Sequence, residues 1–181
     1  YCKVRYNSVM HDIDSTRYIL IGGNWKDDNF KAASWQKLMV RDIKPPVKIL
    51  ICLFGKEDTS IWSQKFDRLV WLFKENVGPE PMFELAQLGS FLDQIYNSDI
   101  LYIDEGDNVI TEKRLGVYQD LSAAFNNKTV VGSSAGANAL SSAYFTRSLM
   151  EVRSGLSILP VKLMVHYDTE PHPDKQIDWD K

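Results

Sequence analysis

The sequence predicts an α/β fold, a doubly wound and mostly parallel sheet with helices on both of its faces. Short runs that are apolar on both sides alternate along the chain with longer segments of helical spacing. Such runs are typical of strands buried inside a parallel sheet, because helices cover both faces of that sheet. Strands that alternate with helices of this length form right-handed βαβ units. The length of 181 residues fits one domain, and the sequence has no internal repeat or linker.

Each predicted strand is rich in β-branched or aromatic residues and is bounded by glycine, proline or acidic residues. The predicted strands are residues 18–21, 47–54, 100–103, 129–131 and 162–166. The predicted helices are residues 30–40, 60–76, 81–96, 111–125 and 137–143. In the second helix the helical period places five apolar side chains on one face, namely Ile61, Phe66, Leu69, Val70 and Phe73. Residues 1–17 have weak periodicity and are expected to be a ragged strand or arm, and residues 169–181 contain two prolines and many charged residues. We expect both segments to be irregular parts of a single domain, 1–181.

The composition excludes several classes of partner. With 24 acidic residues against 21 lysines and arginines, the net charge is −3, and the chain carries no basic footprint for nucleic acid. The basic residues are scattered rather than clustered, and the apolar runs are too short to span a bilayer. We therefore expect a cytoplasmic protein that works without nucleic acid or membrane. We also expect a monomer or homodimer that needs no cofactor.

The two cysteines, Cys2 and Cys52, cannot form a disulfide scaffold in a chain of this size. Cys52 lies inside an apolar strand, where free cysteines are usually buried, so we expect an inert thiol. No secretory signal peptide is recognisable at the start of the sequence, whose first residue is Tyr1. These features agree with the expected cytoplasmic location.

The segment Thr129-Val-Val-Gly-Ser-Ser-Ala-Gly136 carries the clearest chemical signal. A β-branched strand runs into G-x-S-x-G, and a small-residue helix begins at once, which is the pattern of a nucleophile elbow. Glycines two before and two after the central serine leave room for neighbouring backbone, and the helix start offers N–H groups to a developing oxyanion. Ser134 is therefore the candidate nucleophile. The alternative is a turn in which glycine and serine serve only to cap the helix.

His166 is the candidate general base. The sequence contains three histidines, His11, His166 and His172. His166 ends the apolar run 161–165, which places it at the carboxyl end of a predicted strand, and the elbow opens at the same edge of the sheet. A histidine there can accept the proton of Ser134.

Several blocks of the sequence resemble peptidase family S51, which contains dipeptidase E and cyanophycinase. The most specific blocks are 129–138 (TVVGSSAGAN), 155–160 (GLSILP) and 165–168 (VHYD). Residues 98–109 and 18–24 are similar to strands of that family and their glycine turns. The resemblance implies a class I glutamine amidotransferase-like fold, a flavodoxin-like arrangement of three layers. It also implies a serine peptidase that hydrolyses small peptides, in the manner of dipeptidase E, with an acidic residue at the N-terminus of the substrate.

Carried over residue by residue, the resemblance makes Ser134 the nucleophile and His166 the base. Members similar to dipeptidase E have an acidic residue between the two, and Glu151 is the only carboxylate between them here. Asp168 and Glu170 are rivals for that role, because in an extended segment they would share a face with His166.

The resemblance also implies the groups that contact the substrate. The backbone N–H of Ala135 matches one oxyanion donor, and Gly106 or its neighbour Asp107 supplies the other. Asn108 matches the asparagine of the family, and we expect Asn108 and Asp107 to contact the substrate. The family's G-G-G-N-T reads Glu105-Gly-Asp-Asn-Val109 here, so two glycines are replaced by acids. An acid beside an oxyanion hole opposes negative charge there unless it points away or binds a substrate amine.

An acidic substrate residue would need a cation near the elbow. The candidates nearest in sequence are Arg147 and Arg153, together with Lys113 and Arg114 after the oxyanion loop. The sequence does not choose among them, because such side chains are more often solvated surface charges.

Three other functions remain open on the sequence alone. An α/β-hydrolase esterase fits poorly, because only about 45 residues follow Gly136 and that fold needs more strands there. A binding or regulatory protein with an inefficient site would explain the acids in the oxyanion loop. A metal site is suggested by alternating ligands in the tail, namely His166, Asp168, Glu170, His172 and Asp174, although a solvated tail gives the same pattern. Glutamine amidotransfer is excluded, since it needs a cysteine at the elbow.

Overall fold

The computed structural model describes residues 16–23, 29–77, 81–146 and 149–166. Within these ranges five parallel strands form one sheet in the order β1-β5-β4-β2-β3. The strands are β1 (Arg17–Ile21), β2 (Lys48–Cys52), β3 (Met82–Leu85), β4 (Ile100–Ile103) and β5 (Thr129–Ser133). The predicted α/β class with a mostly parallel sheet is confirmed.

Helices connect the strands. They are α1 (Asn29–Val40), α2 (Trp62–Val77), α3 (Phe91–Tyr96), α4 (Asn108–Leu115), α5 (Leu121–Ala124) and α6 (Ala135–Leu140). A 3₁₀ turn, Thr59–Ile61, precedes α2, and the side chain of Asp58 caps it by accepting a hydrogen bond from the Ser60 N–H at 2.8 Å.

The order in which the chain adds strands to the sheet reverses between β2 and β4, although all the strands remain parallel. From β2 the chain moves outward to β3, and it then returns across β2 to place β4 and β5 on the other side. The order β3-β2-β4-β5 is that of a flavodoxin-like sheet, with β1 added beyond β5. In open α/β sheets, ligands bind beyond the carboxyl ends of the strands at such a switch point.

The hydrophobic core lies on both faces of the central strands. All four residues of β4 are fully buried, as are Ile49 to Cys52 of β2. On the face covered by α1 and α2, Trp35 stacks on Tyr102 at 5.9 Å between ring centroids, and Phe73 meets Tyr102 edge-on at 5.0 Å. These contacts fix α1 and α2 over β4, because aromatic pairs of this geometry add to the stabilisation from burial.

A second, three-stranded sheet follows α6. It contains β6 (Ala143–Thr146), β7 (Glu151–Arg153) and β8 (Lys162–Met164) in the order β7-β6-β8. The β6–β7 pair is antiparallel and the β6–β8 pair is parallel. This sheet matters for the site because the chain leaves β8 toward the carboxyl end of β1.

The predicted helix 81–96 is wrong over its first half. Met82–Leu85 forms the edge strand β3, and only Phe91–Tyr96 is helical. The Met82 N–H donates to the Val47 carbonyl at 2.8 Å, so pairing with β2 decides the conformation of this short segment. Its alternating exposure has the period of two of a strand.

Other predicted elements differ from the structure at their ends, and the strand predicted at 47–54 is limited to Lys48–Cys52. The helix predicted at 111–125 is split, because α4 ends at Leu115, before Gly116, and α5 is a separate turn. The helix predicted at 137–143 begins earlier, at Ala135, and Ala143 already belongs to β6. The strand predicted at 162–166 ends at Met164. The irregular segments predicted at 1–17 and 169–181 lie outside the described residues except for Thr16 and Arg17, and Arg17 begins β1. Across the described ranges, no helix has both the length and the apolar character needed to cross a bilayer.

The single described cysteine gives a direct test of burial. Cys52 is fully buried, and burial raises the pKa of its thiol to about 12. At pH 8 it should hold about a thousandfold less thiolate than a thiol of ordinary pKa near 8.5, and thiolate is the reactive form. We expect iodoacetamide to leave Cys52 unmodified in the native protein and to alkylate it rapidly in urea, as measured by mass spectrometry of its peptide. Equal alkylation in both conditions would contradict this burial.

Candidate active site

Ser134 lies on a strained turn between β5 and α6. Its backbone φ and ψ are 50° and −109°, a conformation that L-residues rarely adopt and that is characteristic of a nucleophile elbow. The two flanking glycines are required for steric reasons. A Cβ on Gly132 would lie 2.8 Å from the Ala137 nitrogen, and one on Gly136 would overlap the Ile103 carbonyl. The elbow is therefore packed tightly against the carboxyl end of β4.

His166 is hydrogen bonded to the candidate nucleophile. The Ser134 Oγ and the His166 Nε2 are 2.9 Å apart, although 32 residues separate them in sequence. With Nε2 unprotonated, the hydroxyl donates and the imidazole accepts, which is the arrangement needed to remove the serine proton. The structure thus brings together the two side chains that the sequence singled out.

The end of β1 holds both members of this pair. The Ser134 N–H donates to the Ile21 carbonyl at 2.9 Å, and the His166 N–H donates to the next carbonyl, that of Gly22, at 3.0 Å. Gly23, with φ of 97°, lies directly beneath the imidazole, and a Cβ there would fall 2.8 Å from Nε2 and closer still to Cε1. Sequence reasoning gave these residues no role in seating the histidine. The available signal was a Gly-Gly pair directly after a buried strand.

The predicted oxyanion donors have different surroundings. Ala135 is the first residue of α6 and is buried, and N–H groups in the first turn of a helix have no partner within that helix. Gly106 packs against Gly55, and a Cβ on Gly106 would lie 2.7 Å from the Gly55 Cα. The Asp107 N–H donates to the Gly55 carbonyl at 2.9 Å. Asp107 is therefore occupied as a backbone donor, which leaves Gly106 as the second candidate.

The Asp107 carboxylate caps a helix. Its Oδ1 accepts a hydrogen bond from the Ile110 N–H at 2.9 Å at the start of α4, so this side chain stabilises the helix start, and its contact with a substrate stays a prediction. The Asn108 Oδ1 accepts a hydrogen bond from the Asn138 Nδ2 at 3.1 Å. Asn138 is buried in α6, and its own N–H binds the Ser134 carbonyl at 2.9 Å. Asn108 is thus attached to the helix that carries the elbow.

Glu151 lies away from the Ser134–His166 pair. Its carboxylate side chain is 51% exposed and is 3.6 Å from the Arg153 guanidinium. It belongs to β7, and β6 separates β7 from β8, the strand that leads to His166. Two strand spacings amount to about 10 Å, so this placement does not support Glu151 as the acid that orients His166. Asp168 and Glu170, the rival acids, lie outside the described residues.

The four cations considered for binding an acidic substrate residue also differ in their surroundings. Arg114 donates to the carbonyls of Phe54, Lys56 and Glu57 and lies 5.5 Å from the centroid of the Trp62 ring, so it braces the loop after β2. Arg153 pairs with Glu151, and Lys113 is exposed on α4. Arg147 lies outside the described residues.

The suggested metal ligands fall mostly outside the described ranges. Of the five residues, only His166 is described, and its Nε2 is bound to Ser134. The described part of the chain contains no group of three or more histidine, cysteine, aspartate or glutamate side chains placed to hold a metal ion.

Solved structures with a similar fold include two crystal structures. A peptidase from an acI-B1 Actinobacterium gives a TM-score of 0.55 at 19% identity, over 78% of this chain and 64% of that protein. A protein assigned as peptidase E from Listeria monocytogenes EGD-e gives a TM-score of 0.51 at 12% identity, over 71% of this chain and 64% of its own. No family model and no curated protein matches the sequence. The match therefore spans about 64% of the length of these two proteins, and the chain shares their α/β fold.

Proposed function

We propose that the chain is a serine peptidase that hydrolyses small peptides, similar to dipeptidase E, with Ser134 as nucleophile and His166 as general base. The observation that carries the proposal is the 2.9 Å hydrogen bond between the two side chains, with the serine on a strained elbow. The shared fold with two peptidases and the sequence resemblance to family S51 support it. The proposal includes a cytoplasmic location, a monomer or homodimer, and a mechanism without a cofactor.

The mechanism is acyl transfer to water. The His166 Nε2 accepts the Ser134 hydroxyl proton as Oγ attacks the scissile carbonyl carbon. Negative charge then develops on the carbonyl oxygen, where the Ala135 N–H and the loop at Gly106 would stabilise it. The protonated imidazole gives its proton to the leaving amine, and an acyl-enzyme remains. His166 then takes a proton from water as that water attacks the ester carbonyl carbon. The imidazolium returns this proton to the Ser134 Oγ as the carbon–Oγ bond breaks, which releases the acid product and restores both side chains.

The substrate class follows from the resemblance. An acidic residue at the N-terminus of the peptide is the preference that family S51 implies. Asn108 is the candidate for contact with such a substrate, since its link to Asn138 places it beside the elbow helix.

The test is labelling with a small fluorophosphonate. We expect the wild type to react with one equivalent and mass spectrometry to place the phosphonate on Ser134. Ser134→Ala should abolish labelling. Ser133→Ala is the matched control, because that serine is adjacent and fully buried in β5, and it should retain labelling. Labelled protein should also lose hydrolysis of Asp-Xaa dipeptides.

A folded wild type that neither reacts with a fluorophosphonate as small as a dipeptide nor cleaves Asp-Xaa peptides would overturn the proposal. It would favour the binding or regulatory protein, in which the scaffold is kept without the chemistry. Circular dichroism of each variant separates loss of labelling from loss of the fold.

A further inference from the structure

Two asparagine side chains join the helix after β4 to the helix that carries the elbow. The Asn138 Nδ2 donates to the Asn108 Oδ1 at 3.1 Å. Asn108 is the first residue of α4, and Asn138 is the fourth residue of α6. Within the part of the chain that the structure describes, this is the only side-chain hydrogen bond between the two helices. It links the segment of one candidate oxyanion donor, Gly106, to the helix of the other, Ala135.

Packing alone does not explain an asparagine at position 138. Asn138 is only 1% exposed, and among the described residues no donor binds its Oδ1. A buried amide with an unpaired oxygen destabilises a fold relative to an apolar side chain of similar size, and asparagine is also a poor helix former. A leucine would carry neither cost. What the asparagine offers and a leucine lacks is the N–H group that Asn108 accepts.

The backbone of Asn138 is held on both sides. Its N–H donates to the Ser134 carbonyl at 2.9 Å, one helical turn toward the elbow. Its carbonyl accepts hydrogen bonds from the Ser141 N–H at 3.1 Å and from the Ser141 Oγ at 2.7 Å, and a Cβ on Gly155 would overlap it. Because helical side chains lean toward the N-terminus of their helix, the Asn138 amide reaches back toward the elbow from a fixed base.

The bond to Asn138 leaves a donor on Asn108. The Asn108 Oδ1 is occupied, whereas no hydrogen bond within the described ranges uses the Asn108 Nδ2. Asn108 is half-buried, and it follows β4 at the edge of the sheet where Ser134 follows β5. An amide that is held by its oxygen has its nitrogen on the other side. A ligand that meets this nitrogen must therefore offer a hydrogen-bond acceptor.

The helix that carries Asn108 has other anchors. Glu112, four residues further along α4, accepts a hydrogen bond from the Tyr144 hydroxyl at 2.6 Å. Tyr144 lies in β6 and is buried. The Asp107 carboxylate caps the start of the same helix. The position of α4 therefore does not depend on the asparagine pair alone, which leaves the orientation of the Asn108 amide as what Asn138 contributes.

We propose that Asn138 is a positioning residue, which holds the Asn108 amide so that its Nδ2 faces the substrate. Asn108 donates a hydrogen bond to an acceptor of the bound peptide, and Asn138 acts only through Asn108. The inference rests on the proposed function, since the peptide is the substrate named there. It adds a residue that touches no reacting group, and it specifies which atom of Asn108 binds.

The experiment is a double-mutant cycle on the hydrolysis of an Asp-Xaa dipeptide. Asn108→Ala removes the donor, and Asn138→Leu removes the group that orients it. We expect each variant to lower kcat/KM by about tenfold, the effect of one hydrogen bond to a substrate. The double variant should be no slower than Asn108→Ala, because Asn138 then has nothing to orient. The fluorophosphonate labelling rate should stay close to that of the wild type, since the Ser134–His166 pair is unchanged.

Tyr144→Phe is the matched control. It removes the hydroxyl that anchors Glu112 and leaves the asparagine pair intact. It should lower the melting temperature and keep the wild-type kcat/KM. An equal loss of kcat/KM in this variant would mean that any loosening of α4 impairs the site, and it would overturn a specific role for Asn138. Asn138→Ala is the second variant if circular dichroism shows that leucine disturbs the fold, and the same result is expected.

Unchanged hydrolysis in Asn138→Leu would overturn the inference and leave the proposed function intact. A double variant slowed by the product of the two single effects would do the same, because the two residues would then act independently. Loss of the fold in both Asn138 variants would assign the residue to the core and also overturn the inference. A folded wild type that hydrolyses no Asp-Xaa dipeptide would reject the proposed function and the inference together.

Discussion

His166→Gln is expected to slow the reaction of Ser134 with a fluorophosphonate, and any dipeptide hydrolysis, by about 10²- to 10⁴-fold. Glutamine keeps a polar group near Oγ but cannot accept a proton at neutral pH. The 2.9 Å hydrogen bond is the only described link through which the serine proton can leave to an imidazole. The measurement is the pseudo-first-order labelling rate, with the fold checked by circular dichroism.

A matched histidine variant makes this test specific. His172→Gln changes the same residue type at a position outside the described residues, and labelling should proceed at the wild-type rate. If His172→Gln slows labelling and His166→Gln does not, the base is misassigned. If neither variant slows it, the serine reacts without a histidine and the proposed mechanism fails.

Gly23→Ala is expected to reduce labelling nearly as much as removal of the imidazole. The new methyl group would occupy the space of Cε1 and lie 2.8 Å from Nε2, so the ring must leave its position against Ser134. An L-residue at φ of 97° is also strained, which adds a cost of about 1–2 kcal/mol to folding. Both the labelling rate and the melting temperature should therefore fall, and the rate should fall more than the change in folded fraction explains.

Gly89→Ala controls for the general effect of adding a methyl group to a glycine. A Cβ on Gly89 would meet no atom within 4 Å, and the residue is exposed. This variant should label and melt like the wild type. A normal labelling rate in Gly23→Ala would mean that the imidazole reaches Ser134 from another position, contrary to the geometry described above.

The buried central strands β2, β4 and β5 were predictable from their own composition. β2 and β4 are covered on both faces, so they form continuous apolar runs that can be recognised from the sequence alone. β3, β6 and β7 have three or four residues each and are partly exposed, so their own composition says little. Hydrogen bonding to β2 makes residues 82–85 a strand, and this long-range contact leaves no pattern in the local sequence.

The residues of the candidate site also differ in how far the sequence alone could predict their roles. Ser134 was predictable because an elbow needs a fixed local pattern of small residues. The function of Asp107 as a helix cap was also present in the sequence, since aspartate is a favoured residue before a helix, but the resemblance drew attention to the oxyanion loop instead. Glu151 was chosen for its place between Ser134 and His166 in the chain. Order along a chain does not fix distance in space, and β6 lies between the strand of Glu151 and the strand that leads to His166.

The two successive carbonyls at the end of β1 link the proposed activity to the folding of that strand. Ile21 and Gly22 anchor the backbones of Ser134 and His166, so one short edge strand sets the spacing of two groups that come from distant parts of the chain. A small displacement of that strand carries both groups with it and leaves their separation unchanged. Detachment of the strand, by contrast, removes no reacting side chain and yet separates the pair. In the proposed mechanism, competence for chemistry would therefore arise only once β1 and the segment after β8 are both in place, so activity would report completion of this part of the fold rather than formation of the elbow.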